Sequence, residues 1–167
     1  YCTKFAKQRH FRWGTQKCEI LLSRLPPPLS TPLMLQGDAV KVCNGFKYLG
    51  ISFGKKGIDM NACVNRLGGC MEKAAMALAA MGLEPRNYPL HIIANHFGVY
   101  VRSCGEYALA ILPLSVTQMS RLEKSQYRAI KFLLKTDARV SRVKLLGCLD
   151  LETVKLRYNI LSAKWFD

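Results

Sequence analysis

Acidic residues are scarce in this sequence of 167 residues: 11 Asp and Glu stand against 25 Lys and Arg, a formal net charge of +14. No Asp-Asp or Asp-x-Asp pair occurs, so no local carboxylate pair is in place to hold two magnesium ions. The Gly-x-x-x-x-Gly-Lys-Ser/Thr pattern that cradles phosphates is missing as well; Gly54-Lys55-Lys56-Gly57 and Gly68-Gly69 do not substitute for it. There is no Cys-x-x-Cys among the seven cysteines, whose odd number and wide spacing argue against a zinc site or a disulfide framework. His91 and His96 are five apart, which misses the four-residue step that aligns two metal ligands on a helix. No metal site is expected. No apolar run follows the basic residues near the start, so no signal peptide is read there. The most apolar stretch, residues 90–114, is broken by His91, Asn95, His96, Arg102 and Glu106, so no membrane span is expected. The cysteines read as reduced thiols inside a cell, so an intracellular protein is expected. The chain does not open on Met and starts inside what reads as a helix, so a piece of a longer protein is expected.

What is present is cationic and globular. Half of the residues are hydrophobic and 22% are charged, which suits a folded core. The charge excess favours a polyanionic partner, nucleic acid above an anionic membrane surface. It is concentrated at the two ends: residues 1–24 hold 6 basic and 1 acidic residue, and residues 115–167 hold 11 and 5.

The pattern predicts an α+β chain, with a small antiparallel β segment at the N-terminus followed by a mainly helical bundle. Residues 1–10 read as the end of a helix with its exit at Arg9-His10. Cys18 to Leu22 reads as a strand, residues 33–42 as strand, turn at Gly37 and strand, and residues 46–53 as one further strand. Residues 25–32, with four prolines, read as a surface loop. Helices are expected from Asp59 or Asn61 to Met81 with Gly82 as the stop, over 89–104, over 115–135, and over 150–166 with Asp150 as the cap. The expected division is 1–56 and 57–167.

The third of these helices carries the sharpest pattern. Arg121, Lys124, Arg128, Lys131 and Lys135 step by three, four, three and four, which puts all five on one face at 3.6 residues per turn. Met119, Leu122, Ile130 and Leu133 are turned away from that face and are candidates for a core. A solvated helix face could carry the same pattern, but with Glu123 as the one acid nearby the stripe can track a row of phosphates. Arg139, Arg142 and Lys144 extend the basic surface into what reads as a loop.

The order of segments resembles the C-terminal part of reverse transcriptases of non-LTR (LINE-type) retrotransposons. Phe11-Arg12-Trp13-Gly14-Thr15-Gln16-Lys17-Cys18-Glu19-Ile20-Leu21 is similar to the family's motif D. Leu35-Gln36-Gly37-Asp38-Ala39-Val40-Lys41-Val42 and then Phe46-Lys47-Tyr48-Leu49-Gly50-Ile51 resemble its hairpin and primer grip. Asn61, Arg66 and the Ala-rich stretch after them resemble the start of the thumb. Ser103-Cys104-Gly105-Glu106-Tyr107 occupies the place of the family's Tyr-Gly-x-x-x-type segment, and the stretch from Leu122 to Lys131 resembles the helix after it.

The resemblance implies that residues 1–56 end a palm, with motif D and a primer-grip β hairpin, and that residues 57–167 form the helical thumb and connection. It implies that Lys17 is the motif D lysine, which assists departure of pyrophosphate as a proton donor or charge stabiliser. Phe46, Lys47, Tyr48, Leu49 and Gly50 would form the grip on a primer. The expected partner is an RNA/DNA primer–template duplex, and the expected location is nuclear or ribonucleoprotein-associated. The palm and fingers, the Tyr-x-Asp-Asp motif and its Mg2+ would lie upstream of residue 1. The chain by itself is then expected to need no cofactor and to be inactive as an RNA-directed DNA polymerase. By their own residues, positions 46–50 read equally as a core strand. The alternatives are a domesticated nucleic-acid-binding protein and a protein-interaction module.

Overall fold

The computed structural model describes residues 1–22, 32–137 and 139–166. The Pro-rich loop expected at 25–32 lies outside them, apart from Pro32. The fold is α+β, a small β region near the N-terminus followed by helices. It divides into two compact units, Tyr1–Asp59 and Met60–Asp167.

The first unit opens with helix α1, Cys2–Gln8. It ends where His10 adopts a left-handed conformation (φ 55°), with the His10 amide bonded to the Lys7 carbonyl and the Phe11 amide to that of Ala6. This pair of bonds satisfies carbonyls that the helix leaves open. A 3-10 turn, Thr15–Lys17, leads into β1, Glu19–Leu21. Strand β1 pairs in parallel with β4, Lys41–Cys43, with Ile20 opposite Val42. Between them β2, Met34–Leu35, and β3, Asp38–Ala39, form a hairpin. Its turn residues Gln36 and Gly37 both have positive φ, the arrangement whose twist suits two-residue hairpins.

The segment 46–53 is two strands, not the single strand expected. Strands β5, Gly45–Tyr48, and β6, Ile51–Gly54, fold back on each other at Leu49 and Gly50, with φ 45° and 77°. Gly50 adopts that φ freely. Leu49 is an uncommon residue for it, so side-chain alternation along 46–53 gave no sign of the reversal. Phe46 and Phe53 sit opposite each other, with stacked rings 5.1 Å apart. A last short strand, β7, Gly57–Ile58, adds to β6, so residues 57 and 58 belong to the β region.

The second unit is built on two long helices, α2, Met60–Ala80, and α5, Val116–Leu134. Cys63, Leu67, Met71, Ala75 and Leu78 repeat at three- and four-residue steps and bury one face of α2. Against them α5 buries Met119, Leu122, Ala129, Ile130 and Leu133. The helices approach closely at Gly68, where an added Cβ would stand 2.5 Å from Ser125 Oγ. Gly82 (φ 85°) ends α2 by the same pair of bonds as His10 ends α1, and Asn87 Nδ2 donates to its carbonyl at 2.9 Å.

Helix α3, Leu90–His96, runs into a wider π-helical turn, Phe97–Arg102, and on into α4, Ser103–Glu106. Phe97 and Val101 are fully buried there. The Ser103 hydroxyl donates to the Val99 carbonyl at 2.5 Å, which satisfies a group in the widened turn. A Cβ added at Gly105 would lie 2.4 Å from Met71 Sδ, so the Met71 side chain would have to shift to admit one.

Two expectations fail near the C-terminus. Residues 142–148 form a helix, α6, Arg142–Cys148, where a loop was expected. Asp150 does not cap the last helix. It has φ 48° and closes α6, with its own amide bonded to the Gly147 carbonyl and the Leu151 amide to that of Leu146. Asp tolerates the left-handed region better than most residues, which suits it to that position. The last helix, α7, starts four residues later, at Val154–Phe166. No described helix is long and apolar enough to cross a membrane.

Candidate nucleic-acid interface

Helix α5 starts from a capping box. Ser115 Oγ accepts from the Gln118 amide at 3.3 Å, and Gln118 Oε1 accepts from the Ser115 amide at 3.0 Å. It ends at Lys135, which is left-handed (φ 51°). Between these ends Arg121, Lys124, Arg128 and Lys135 are exposed and Lys131 is half-buried, while Met119, Leu122, Ile130 and Leu133 face the core.

The cations differ in what holds them. Arg121 donates to Asn61 Oδ1 at 3.1 Å and to Asn65 Oδ1 at 2.5 Å, both on α2. Those neutral acceptors orient the guanidinium and leave its charge uncancelled. Arg128 is paired with Glu72 at 2.7 Å and also donates to Ser125 Oγ at 3.1 Å. Lys135 is paired with Glu84. Lys131 Nζ lies over the Tyr127 ring, 5.1 Å from its centroid. Among the described residues Lys124 has no ionic or hydrogen-bonding partner. Arg142 is not part of a loop surface: it starts α6 and pairs with Glu123 at 2.9 Å. Arg139 is exposed in the turn before it.

Two grooves flank this face. One, of about 370 Å³, lies between α2 and α5 and is lined by Asn65, Gly69, Glu72, Arg121, Lys124 and Arg128. The other, of about 490 Å³, runs along the C-terminal half of α5 past Tyr127, Arg128, Lys131, Phe132 and Lys135. The residues that orient or offset the stripe, Asn61, Asn65, Glu72 and Glu84, were not anticipated. They lie about 50 to 60 positions from the cations they meet, and no spacing rule within one helix reaches that far.

The carboxylates Glu106 and Glu152 are engaged elsewhere in the unit. Arg157 grips Glu106 with two bonds, 2.6 and 2.9 Å, and Arg102 reaches Glu106 at 3.3 Å and Glu152 at 2.5 Å. The hydrogen bond to Glu106 raises the Arg157 pKa above its ordinary value. The buried Gln126 side chain donates to the Glu152 carbonyl at 3.1 Å. Together these bonds tie α4, α5 and the start of α7. Among the described residues no group of three His, Cys, Asp or Glu could hold a metal ion.

In the first unit, Tyr48 and Leu49 sit at the tip of the β5–β6 hairpin, 61% and 68% exposed. Lys47 is exposed beside them, and Phe46 and Gly50 are half-buried. Lys17 is exposed at the end of the 3-10 turn, its amide bonded to the Gly14 carbonyl at 2.8 Å. An open cleft of about 890 Å³ lies in the same unit, lined by Lys7, His10, Arg12, Trp13 and Asp38 among others. Thr15 donates to Asp38 Oδ2 at 2.7 Å across it, and the Trp13 amide donates to Gln36 Oε1 at 3.1 Å. Comparison with models of protein families, with curated proteins and with solved structures finds no match for the chain.

Proposed function

We propose that this chain holds a nucleic-acid duplex by its backbone, as the primer–template-gripping part of a retrotransposon-type RNA-directed DNA polymerase whose catalytic carboxylates are supplied from outside these residues. The observation that carries the proposal is the cationic face of α5, solvent-facing and fixed to α2 by side-chain bonds. Oriented cations on a rigid helix suit a row of phosphates. The bond from Arg121 to two neutral amides preserves its charge for an incoming anion. The Arg128–Glu72 pair is largely exposed on the arginine side, 64%, so it contributes little and can be exchanged for a phosphate. The exposed Tyr48–Leu49 tip and Lys17 rest on the family resemblance alone. Contacts of this kind read phosphate and sugar and little of the base sequence.

Exposed Met76 on α2 and Met81 just after its end favour the second reading, a protein-interaction surface.

Binding to a labelled primer–template duplex across a salt series separates the two. The expected log–log slope is roughly −3 to −5, from about −0.9 per phosphate contacted. Replacing Arg121, Lys124, Arg128 and Lys131 with Gln is expected to flatten the slope and weaken binding. Binding that is absent or independent of salt would overturn the proposal, and so would unchanged affinity in the fourfold variant.

A further inference from the structure

The two grooves beside the cationic face differ in one respect that backbone contact does not explain. The groove lined by Arg121 and Lys124 contains no aromatic residue. The groove at the C-terminal half of α5 contains two, Tyr127 and Phe132. Tyr127 is already engaged: Lys131 covers its ring, and its hydroxyl donates to the Val140 carbonyl. Phe132 is 48% exposed and has no ring or cation partner among the described residues. At about 100° per residue it lies roughly 40° around the helix from Arg128, with Lys131 on the other side of that arginine. A half-exposed aromatic ring with no ring or cation partner among the described residues therefore stands in a groove lined by cations.

A phosphate needs only the cations. The ring adds a flat apolar surface, which fits the face of a nucleobase. Inside a duplex both faces of a base are covered by its neighbours, so the base that meets Phe132 is an unpaired one, at a strand end or in a single-stranded stretch. We infer that Phe132, with Lys131 and Arg128, forms a subsite for an unpaired nucleotide: the base stacks on the ring while its phosphate meets the cations. This deepens the proposed function and rests on it.

Fluorescence anisotropy of the full chain with three labelled probes tests the subsite. They are a blunt duplex, the same duplex with a single-stranded overhang of about four nucleotides, and that duplex with an abasic overhang of equal length. The ordinary overhang is expected to bind about fivefold or more tighter than the other two, the low end of what one stacked base contributes. Phe132→Ala is expected to erase the preference and Phe132→Trp to keep it. Neither should change the salt slope, because no cation is lost. The side chain is half-exposed, so both variants should fold, which helical circular dichroism checks. Equal binding of ordinary and abasic overhangs, or a preference that survives Phe132→Ala, overturns the subsite while salt-sensitive binding of the blunt duplex still supports the grip. Loss of salt-sensitive binding to all three probes overturns both.

Discussion

The two units hold themselves together in different ways. In the first, among the described residues, Ala6 is the one buried hydrophobic, while Tyr1, Phe5, Leu33, Met34, Val42, Tyr48 and Leu49 are exposed. Its order comes from hairpins, a parallel pair of three-residue strands, and edge-on rings such as Phe11 and Trp13 at 5.1 Å. In the second, α2 and α5 bury Leu67, Leu122, Ile130 and Leu133 almost completely. Each such side chain contributes about 1.5–3 kcal/mol by leaving water. The cations of α5 are thus mounted on a packed pair of helices, and the 46–50 tip on a surface with little beneath it. A charge array on packed helices keeps its spacing, whereas a hairpin tip on exposed strands adapts its own.

A matched pair of truncations gives the largest effect on that contrast. Leu67→Ala in the second unit should cost about 2–5 kcal/mol and lower the helical melting transition by roughly 10–20 °C. Phe53→Ala in the first unit should leave that transition in place. Equal shifts in a thermal melt followed by circular dichroism would break the comparison.

Arg157→Met comes next. It leaves Glu106 with Arg102 as its remaining cation and should cost about 2 kcal/mol, read as a lower denaturation midpoint at unchanged slope. A neutral result would mean that the network does not brace α4 against α7.

The smallest effect sharpens how the helices end. Asp150→Gly should stabilise the second unit by about 1 kcal/mol, since glycine adopts the left-handed conformation freely. If Asp150 instead capped α7, the same change would be neutral or slightly destabilising.

Much of the second unit is legible in the residues. The stripe at 121–135 and the apolar residues opposite it follow from helical periodicity, and the limits of α5 from Ser115 and Lys135. Gly82 marks the end of α2. The end that was misread is the one at Asp150, which, like two ends that the residues do mark, is closed by a residue other than glycine. His10, Lys135 and Asp150 all take left-handed φ, and for Asp150 the sequence admits a second use, as an N-cap, that tertiary packing rejects. The reversal at Leu49-Gly50 is equally invisible to side-chain alternation, which along 46–53 fits one long strand as well as two short ones. In the first unit burial offers no pattern to read, because so little of it is buried.

By itself the sequence determined the excess of positive charge, the α+β order and the one-sided placement of five cations on α5. These depend on composition and on a fixed number of residues per turn, both local properties. The tertiary structure decided which of those cations stay uncancelled. It set Asn61 and Asn65 against Arg121, Glu72 against Arg128 and Glu84 against Lys135, and it left Phe132 half-exposed. Those pairings depend on the register between helices distant in the chain, which side-chain packing sets at contacts such as Gly68 on Ser125.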